Sequence, residues 1–228
     1  MATPANAGPP YFTDDPEPTD LHHCEIYAFA AGTKTDGSFD GATGLDLNYG
    51  PLPDVQLTAT LPLDFSRDGS THIGAGDVEI GVKYRFFQRE DAGVSFAVFP
   101  RVFVPTAGRR FGSGKAGLLL PLWAQKGSGP WSVFGGGGYT INPGAGNRDF
   151  WQGGVAVTRT MTKRLSLGAE IFHQGPDADD ARSYTALNFG GIYKLGGPFS
   201  ILVSAGPGVA HARDGGKYNV YTALALNF

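Results

Sequence analysis

The chain has 228 residues, a formal net charge of −3, 35 glycines, 16 prolines and one cysteine. No basic stripe stands out, which argues against nucleic acid as a partner, and the glycines follow no Gly-X-Y period, which excludes collagen. No run approaches the ~18 apolar residues of a transmembrane helix, yet barrel strands of ~10 alternating residues would leave the same unremarkable average. The opening Met-Ala-Thr-Pro-Ala-Asn has neither a charged n-region nor an apolar h-region. The expectation is a mature form, its signal peptide removed and a start methionine added. Cys24 stands alone, so neither an intrachain disulfide nor a cysteine metal site is available.

Taken in order, residues 1–22 form a Pro-, Asp- and Glu-rich segment containing Pro9-Pro10 and Thr13-Asp14-Asp15-Pro16-Glu17-Pro18. Prolines at this density forbid helix and central strand, so an extended N-terminal arm is expected. From residue 23 onward the pattern is alternation and never a helical period. Twelve strands are read near 24–31, 44–50, 55–65, 77–88, 94–106, 116–126, 131–142, 149–161, 165–175, 184–195, 199–211 and 218–228. Val55, Leu57, Ala59 and Leu61 share one face of the third while Gln56, Thr58 and Thr60 share the other.

Connections after odd strands (32–43, 66–76, 107–115, 143–148, 176–183, 212–217) exceed those after even strands (51–54, 89–93, 127–130, 162–164, 196–198). Such alternation is what a meander with two unlike ends requires, whereas Greek-key crossovers would break it. Both termini then lie at the short-turn end, the strand count is even, and the last strand, Tyr218 to Phe228, must close antiparallel against the first. Val220, Leu224 and Leu226 are expected to face lipid there, and Asn219, Tyr221 and Asn227 the lumen. Aromatics near strand ends, among them Tyr49, Tyr84, Phe86, Trp131, Phe150, Trp151, Tyr184, Tyr193, Phe199, Tyr218 and Phe228, suit an interfacial girdle.

The arm Gly8-Pro9-Pro10-Tyr11-Phe12-Thr13-Asp14-Asp15-Pro16-Glu17-Pro18-Thr19-Asp20, followed by His23-Cys24-Glu25-Ile26-Tyr27 and Gly32-Thr33, resembles the start of outer-membrane proteins associated with the meta pathway of phenol degradation. Gly76-Asp77-Val78-Glu79-Ile80-Gly81-Val82-Lys83-Tyr84-Arg85 is similar to a stretch of the same family. The resemblance implies a transporter or channel for small organic molecules.

Motifs for chemistry are few. Gly112-Ser113-Gly114-Lys115-Ala116 departs from a phosphate loop, because Arg109 sits where the first Gly belongs, Ala116 replaces Ser/Thr and no helix is expected to follow. Gly135 to Gly138 fall inside a strand, where they permit close approach and bending. His22, His23, His72, His173 and His211 have no metal-ligand spacing, so neither metal nor cofactor is expected. An outer-membrane enzyme remains an alternative if His72, His173 and His211 meet Asp177, Asp179 or Asp180 at the outer rim. A sealed structural barrel is another alternative, and a soluble ligand-binding barrel a third.

If the Leu/Val faces point to lipid, Glu25, Asp46, Glu79, Lys83, Arg85, Arg101, Glu170 and Lys194 point into the lumen, where acids and bases are expected to pair. Tyr27, Phe29, Phe99, Phe103, Phe134, Phe172 and Tyr221 are interleaved with them and suit an apolar or aromatic solute. The acids Asp14, Asp15, Glu17 and Asp20 are expected to draw the arm into the barrel toward Lys83, Arg85, Arg101 and Lys194 as a plug. Pro62, Pro100 and Pro121 each remove a ladder donor, and a bulge is expected at Pro100 that either bends the wall or opens a lateral exit. The sequence thus reads as an all-β, single 12-stranded antiparallel up-and-down barrel, residues 23–228, preceded by the arm. The expected function is an outer-membrane channel for passive uptake of small hydrophobic or aromatic organic molecules, not an enzyme. Its expected partners are those solutes, outer-membrane lipid or detergent, and the barrel-assembly machinery through the strand ending in Phe228. The expected oligomeric state is a monomer.

Overall fold

The computed structural model describes residues 10–108, 110–112, 114–211 and 216–228. Residues 1–9 of the arm, and Arg109 and Ser113 of the glycine-rich motif, lie outside them. One antiparallel sheet closes on itself through twelve strands. They are β1 (Cys24–Lys34), β2 (Phe39–Leu52), β3 (Val55–Arg67), β4 (Thr71–Ala75 and Val78–Arg89) and β5 (Val94–Val98 and Arg101–Val104). Next come β6 (Gly117–Ser128), β7 (Trp131–Ile141), β8 (Phe150–Thr160) and β9 (Leu165–Gln174). The last three are β10 (Tyr184–Gly196), β11 (Phe199–Ala210) and β12 (Tyr218–Asn227).

Each strand pairs with the next, and β12 returns to β1 from Glu25↔Asn227 to Lys34↔Tyr218. Closure leaves no edge, which is the condition for a sheet to stand in hydrocarbon. Side-chain burial is inverted relative to a water-soluble core. Leu45, Leu57, Ile80, Leu120, Val133, Val155, Ile171, Val203 and Leu224 are exposed on the outer wall, whereas Asn48, Gln56, Lys83, Ser95, Glu170, Asn188 and Asn219 are buried inside. Moving one such Leu or Val out of water is worth about 1.5–3 kcal/mol, so a belt of this size calls for an apolar surrounding.

Three details differ from the sequence expectation. The first two long loops shrink to 35–38 and 68–70, because β1 to β3 run on past their apolar stretch. Pairs such as Gly32↔Gly41 and Thr33↔Asp40 bond through the backbone, which needs no apolar side chain and leaves no periodic signal. Tyr184 faces inward, not toward a girdle, and its hydroxyl receives Asn219 Nδ2. Most other expected girdle aromatics, including Tyr49, Trp131, Trp151, Tyr193 and Phe228, are exposed.

The third concerns the wall at Pro100. The ladder pauses at Phe99 and Pro100, but Tyr84↔Val98 below and Gly81↔Arg101 above belong to one register, so no bulge forms. Proline removes only a donor; its carbonyl still accepts Val82 N–H at 3.1 Å. The register slips elsewhere: beside Phe86, and at Gly76–Asp77, where Leu63↔Ala75 gives way to Thr60↔Glu79. The expected exit at Pro100 is therefore corrected. Pro62 and Pro121 likewise stay in register, opposite Gly44 and Gly138.

The β1–β12 seam is the closure, and it can be tested by covalent trapping. Ala28 and Leu224 are direct partners. With Cys24→Ser removing the native thiol, the Ala28→Cys/Leu224→Cys pair should oxidise to a disulfide in folded protein and change its gel migration. Failure to cross-link would contradict a closed barrel.

Candidate functional site

The functional interior is built from the arm and the two walls that hold it. Residues 10–20 have no regular structure and run across the lumen, with Thr13, Asp15 and Pro16 fully enclosed. Proline spacing keeps this segment out of helix and strand, so its backbone donors must be met by side chains.

One wall comes from β3 to β6. Lys83 Nζ lies 3.0 Å from Asp14 Oδ1 and 3.7 Å from Asp15 Oδ1, and donates to the Glu17 carbonyl at 3.3 Å. Glu17 pairs with Arg85, which also pairs with Asp54. Ser95 Oγ and Gln125 Nε2 donate to Glu17 Oε1 at 2.8 and 3.4 Å. Farther down, Thr19 N–H and Oγ1 both donate to Gln56 Oε1, at 2.8 and 3.1 Å. Burial pushes the Asp15 carboxyl well up; the Lys83 ammonium opposes this and the Asp14 charge adds to it.

The opposite wall comes from β7 to β11. Glu170 accepts Phe12 N–H at 3.2 Å and Thr13 N–H on its other oxygen, while Asn188 Nδ2 donates to it at 2.8 Å. Ser204 Oγ donates to the Pro10 carbonyl. The Phe12 ring meets Phe172 at 5.0 Å between centroids, and Tyr11 meets Phe134 at 6.3 Å. Gly154 and Gly168 make room: a Cβ would stand 2.2 Å from Thr13 Oγ1 at the first and 2.7 Å from the Tyr11 hydroxyl at the second. Burial, with the Glu170 charge second, raises the Tyr11 hydroxyl above the ordinary tyrosine range.

The expected lumen residues divide into groups. Lys83, Arg85 and Glu170 hold the arm, and Arg101 pairs with Glu79 at 3.3 Å. Glu25 takes Tyr27 Oη at 2.9 Å and Asn227 Nδ2 at 3.1 Å; Asp46 takes Asn48 Nδ2 and Thr60 Oγ1. Lys194 does not join them: it is exposed at the turn end of β10, three residues before the turn glycine Gly197. Phe99 lies between Lys83 and Arg101, 5.1 and 4.7 Å from its ring centroid. Phe29 stacks on Tyr221 at 6.5 Å, and Tyr221 lines the small pocket beside Pro10–Phe12. Phe103 is half-buried higher on β5. Asp20 does not ion-pair among the described contacts; its carbonyl accepts His23 N–H.

Gln56, Ser95, Gln125, Asn188 and Ser204 carry no mark in the sequence of a role in holding the arm. Alternation places them inside, but nothing in it tells a docking amide from an interior filler. The hydrogen bonds of these histidines go to groups other than the loop aspartates: His72 bonds Ser70, His173 bonds Thr185, and His211 donates to the Ser183 carbonyl. Among the described residues no group of three His, Cys, Asp or Glu could hold a metal.

Around the arm the interior is narrowed, not filled. A vestibule of about 920 Å³ opens at the short-turn end, lined by Glu17, Ser95, Gln125 and the turns near Asp91 and Gly129. Beside the arm a cavity of about 140 Å³ remains between Asp14, Glu25, Asp46, Glu79 and Arg101. A pocket of about 60 Å³ lies between Pro10–Phe12 and Asn188, Ser204, Asn219 and Tyr221.

No protein-family model and no curated protein matches the chain. Among solved structures, the COG4313 outer membrane channel from Pseudomonas putida F1 superposes with a TM-score of 0.77 at 14% identity, covering 98% of this chain and 100% of that one. The translocator domain of the autotransporter NalP from Neisseria meningitidis gives 0.47 at 11% identity over 90% of this chain and 86% of that one. The first likeness is one of fold; the second is too loose to add to it.

Lys83→Met keeps the stem of the side chain and removes the charge that Asp14 and Asp15 face. Losing one partner of a buried pair typically costs about 3–5 kcal/mol. The arm should come loose and be cut by added protease while the barrel stays intact; an arm as resistant as in the unaltered protein would contradict this docking.

Proposed function

We propose that the protein is an outer-membrane channel for passive passage of small organic molecules, hydrophobic or aromatic in class, with the arm as the constriction that selects them. The observation that carries this reading is a closed, outwardly apolar barrel whose polar lumen is crossed by its own N-terminal segment. A barrel needs an apolar belt only to stand in a bilayer, and bacterial barrels of this kind stand in the outer membrane with short turns on the periplasmic side. The arm and both chain ends then belong to the periplasmic side. The superposable structure is described as an outer membrane channel, and that description supports the same reading here. Aromatic rings, among them Phe99, Phe134 and Phe172, are interleaved with the paired charges of the interior, and such rings suit small organic ligands. Diffusion asks for no catalytic group.

On this reading the protein works as a monomer surrounded by lipid. The strand ending in Phe228, whose carbonyl accepts Cys24 N–H at 2.7 Å, is the segment offered to the assembly machinery.

Reconstituted in planar bilayers, the intact chain should give small unitary currents. A variant lacking residues 1–20 should give currents several times larger, since both the ion pairs and the rings that fill the lumen are gone. Equal conductance would reject the arm as the constriction, and no conductance from either protein would favour a sealed structural barrel.

A further inference from the structure

We infer that the short-turn end of β7 to β11 is a binding surface for an anionic phospholipid, whose headgroup phosphate is taken by Arg159 beside the Trp131 ring. The inference goes beyond the channel reading: it rests on the apolar belt and needs no passage through the lumen.

Charge along this end of the wall is one-sided. Between Trp131 and Phe199 the acids are Asp149, Glu170, Asp177, Asp179 and Asp180. Glu170 is enclosed in the lumen, and the aspartates lie in the loops of the opposite end. The bases Arg159, Lys163, Arg164 and Lys194 are all exposed at the short-turn end, and none ion-pairs with an acid among the described residues. A headgroup of net negative charge is drawn to such a sector, whereas a zwitterionic one brings an ammonium that these bases repel.

Arg159 turns this field into a site. It is the last outward-facing residue of β8 before the turn, paired directly with Trp131 on β7 and Leu167 on β9. Trp131, Val133, Val157 and Leu167 are exposed around it on the outer wall, so the guanidinium stands where the apolar belt ends. A base is strongly disfavoured at the bilayer midplane and tolerated at the interface, the level of the headgroups. Its Cζ lies 5.2 Å from the Trp131 ring centroid. Stacking uses none of the guanidinium N–H groups, and these have no hydrogen-bond partner among the described residues. A planar fork with free donors matches two phosphate oxygens at once.

The turns beside it are held in place. Thr160 N–H donates to the Pro130 carbonyl at 2.8 Å, tying the β6–β7 turn to the β8–β9 turn. Lys194 N–H donates to the Arg164 carbonyl at 2.8 Å, which ties in β10. Thr162 Oγ1 accepts the Arg164 and Leu165 N–H groups, both at 3.1 Å. Lys163 and Arg164 are thereby presented on a fixed turn of the same hairpin as Arg159, where they raise the local positive potential.

The test places the full chain in phosphatidylethanolamine vesicles in which a minor fraction of lipid carries brominated chains, which quench tryptophan on contact. The Trp131 signal is the difference between each chain and its Trp131→Phe counterpart, relative to unbrominated vesicles. At equal mole fraction, brominated phosphatidylglycerol should occupy the site about tenfold more strongly than brominated phosphatidylethanolamine. Arg159→Gln should lower that preference about fivefold, and Lys163→Gln with Arg164→Gln should lower it too, each variant still migrating as a heat-modifiable folded barrel. Arg67→Gln neutralises an exposed base at the opposite end of the wall and should leave the preference unchanged. Equal quenching by both lipids, or a preference that survives Arg159→Gln or falls as far in Arg67→Gln, overturns the inference. So does polyglutamate that binds the chain in detergent through Arg159 when neither lipid is preferred, since the surface then belongs to an acidic protein. Liposome uptake is measured separately: a protein that passes solutes without the lipid preference defeats this inference alone, whereas one that keeps the preference and passes nothing defeats only the channel reading.

Discussion

Cys24 and Phe228 exchange backbone hydrogen bonds at 2.7 and 3.0 Å, and ten residue pairs then carry β1 along β12 to Lys34 and Tyr218. In hydrocarbon an unpaired amide or carbonyl has no water to turn to, so the seam decides whether the sheet can exist there at all. Once it closes, every strand has two faces with opposite demands: the outer one must be apolar, and the inner one encloses a lumen too narrow to be bulk water. The inward residues of a twelve-stranded wall do not reach across it unaided, and the arm supplies the missing contacts. Closure, inverted burial and a docked arm are thus one chain of consequences.

The arm joins two walls by different chemistry. Toward β3–β6 it is held by charge, with Lys83 and Arg85 against Asp14, Asp15 and Glu17. Toward β8–β11 it is held by backbone donors on Glu170 and by ring contact with Phe134 and Phe172. The Lys83 pairs are enclosed, so losing one partner there is costly, whereas a carboxylate receiving two amides depends on the placement of backbone donors. The two ends therefore have different sensitivities: neutralising Lys83 bears on the first, and a change at Glu170 on the second.

Much of the architecture was legible because a strand's period of two is a property of backbone geometry that side chains cannot hide. Alternation in Val55–Leu61 and Val78–Phe86, with the even count of strands, leads directly to closure. Alternation also puts Lys83, Arg101 and Glu170 on the inner face. It fails where side chains carry no contrast, as at Gly32, Gly41 and Thr43, so the first two loops of the long-loop end are shorter than alternation implies. It says nothing of height along the barrel, so it does not separate Lys194, exposed near the turn, from the lumen charges. A proline announces a missing donor but not the outcome: at Pro100 the neighbours keep register, while the slip falls at Gly76–Asp77, which no proline marks. Least legible was the Glu170 seat, because its donors are main-chain amides and its space comes from Gly154 and Gly168.

Hydrogen exchange of the arm amides tests the central claim most directly. If the arm lies docked across the lumen, the amides of Phe12, Thr13 and Thr19, bonded to Glu170 and Gln56, should exchange slowly, approaching the flanking β1 strand, in protein held in detergent at neutral pH. Exchange of those amides at the rate of a free peptide, alongside protected strands, would contradict it.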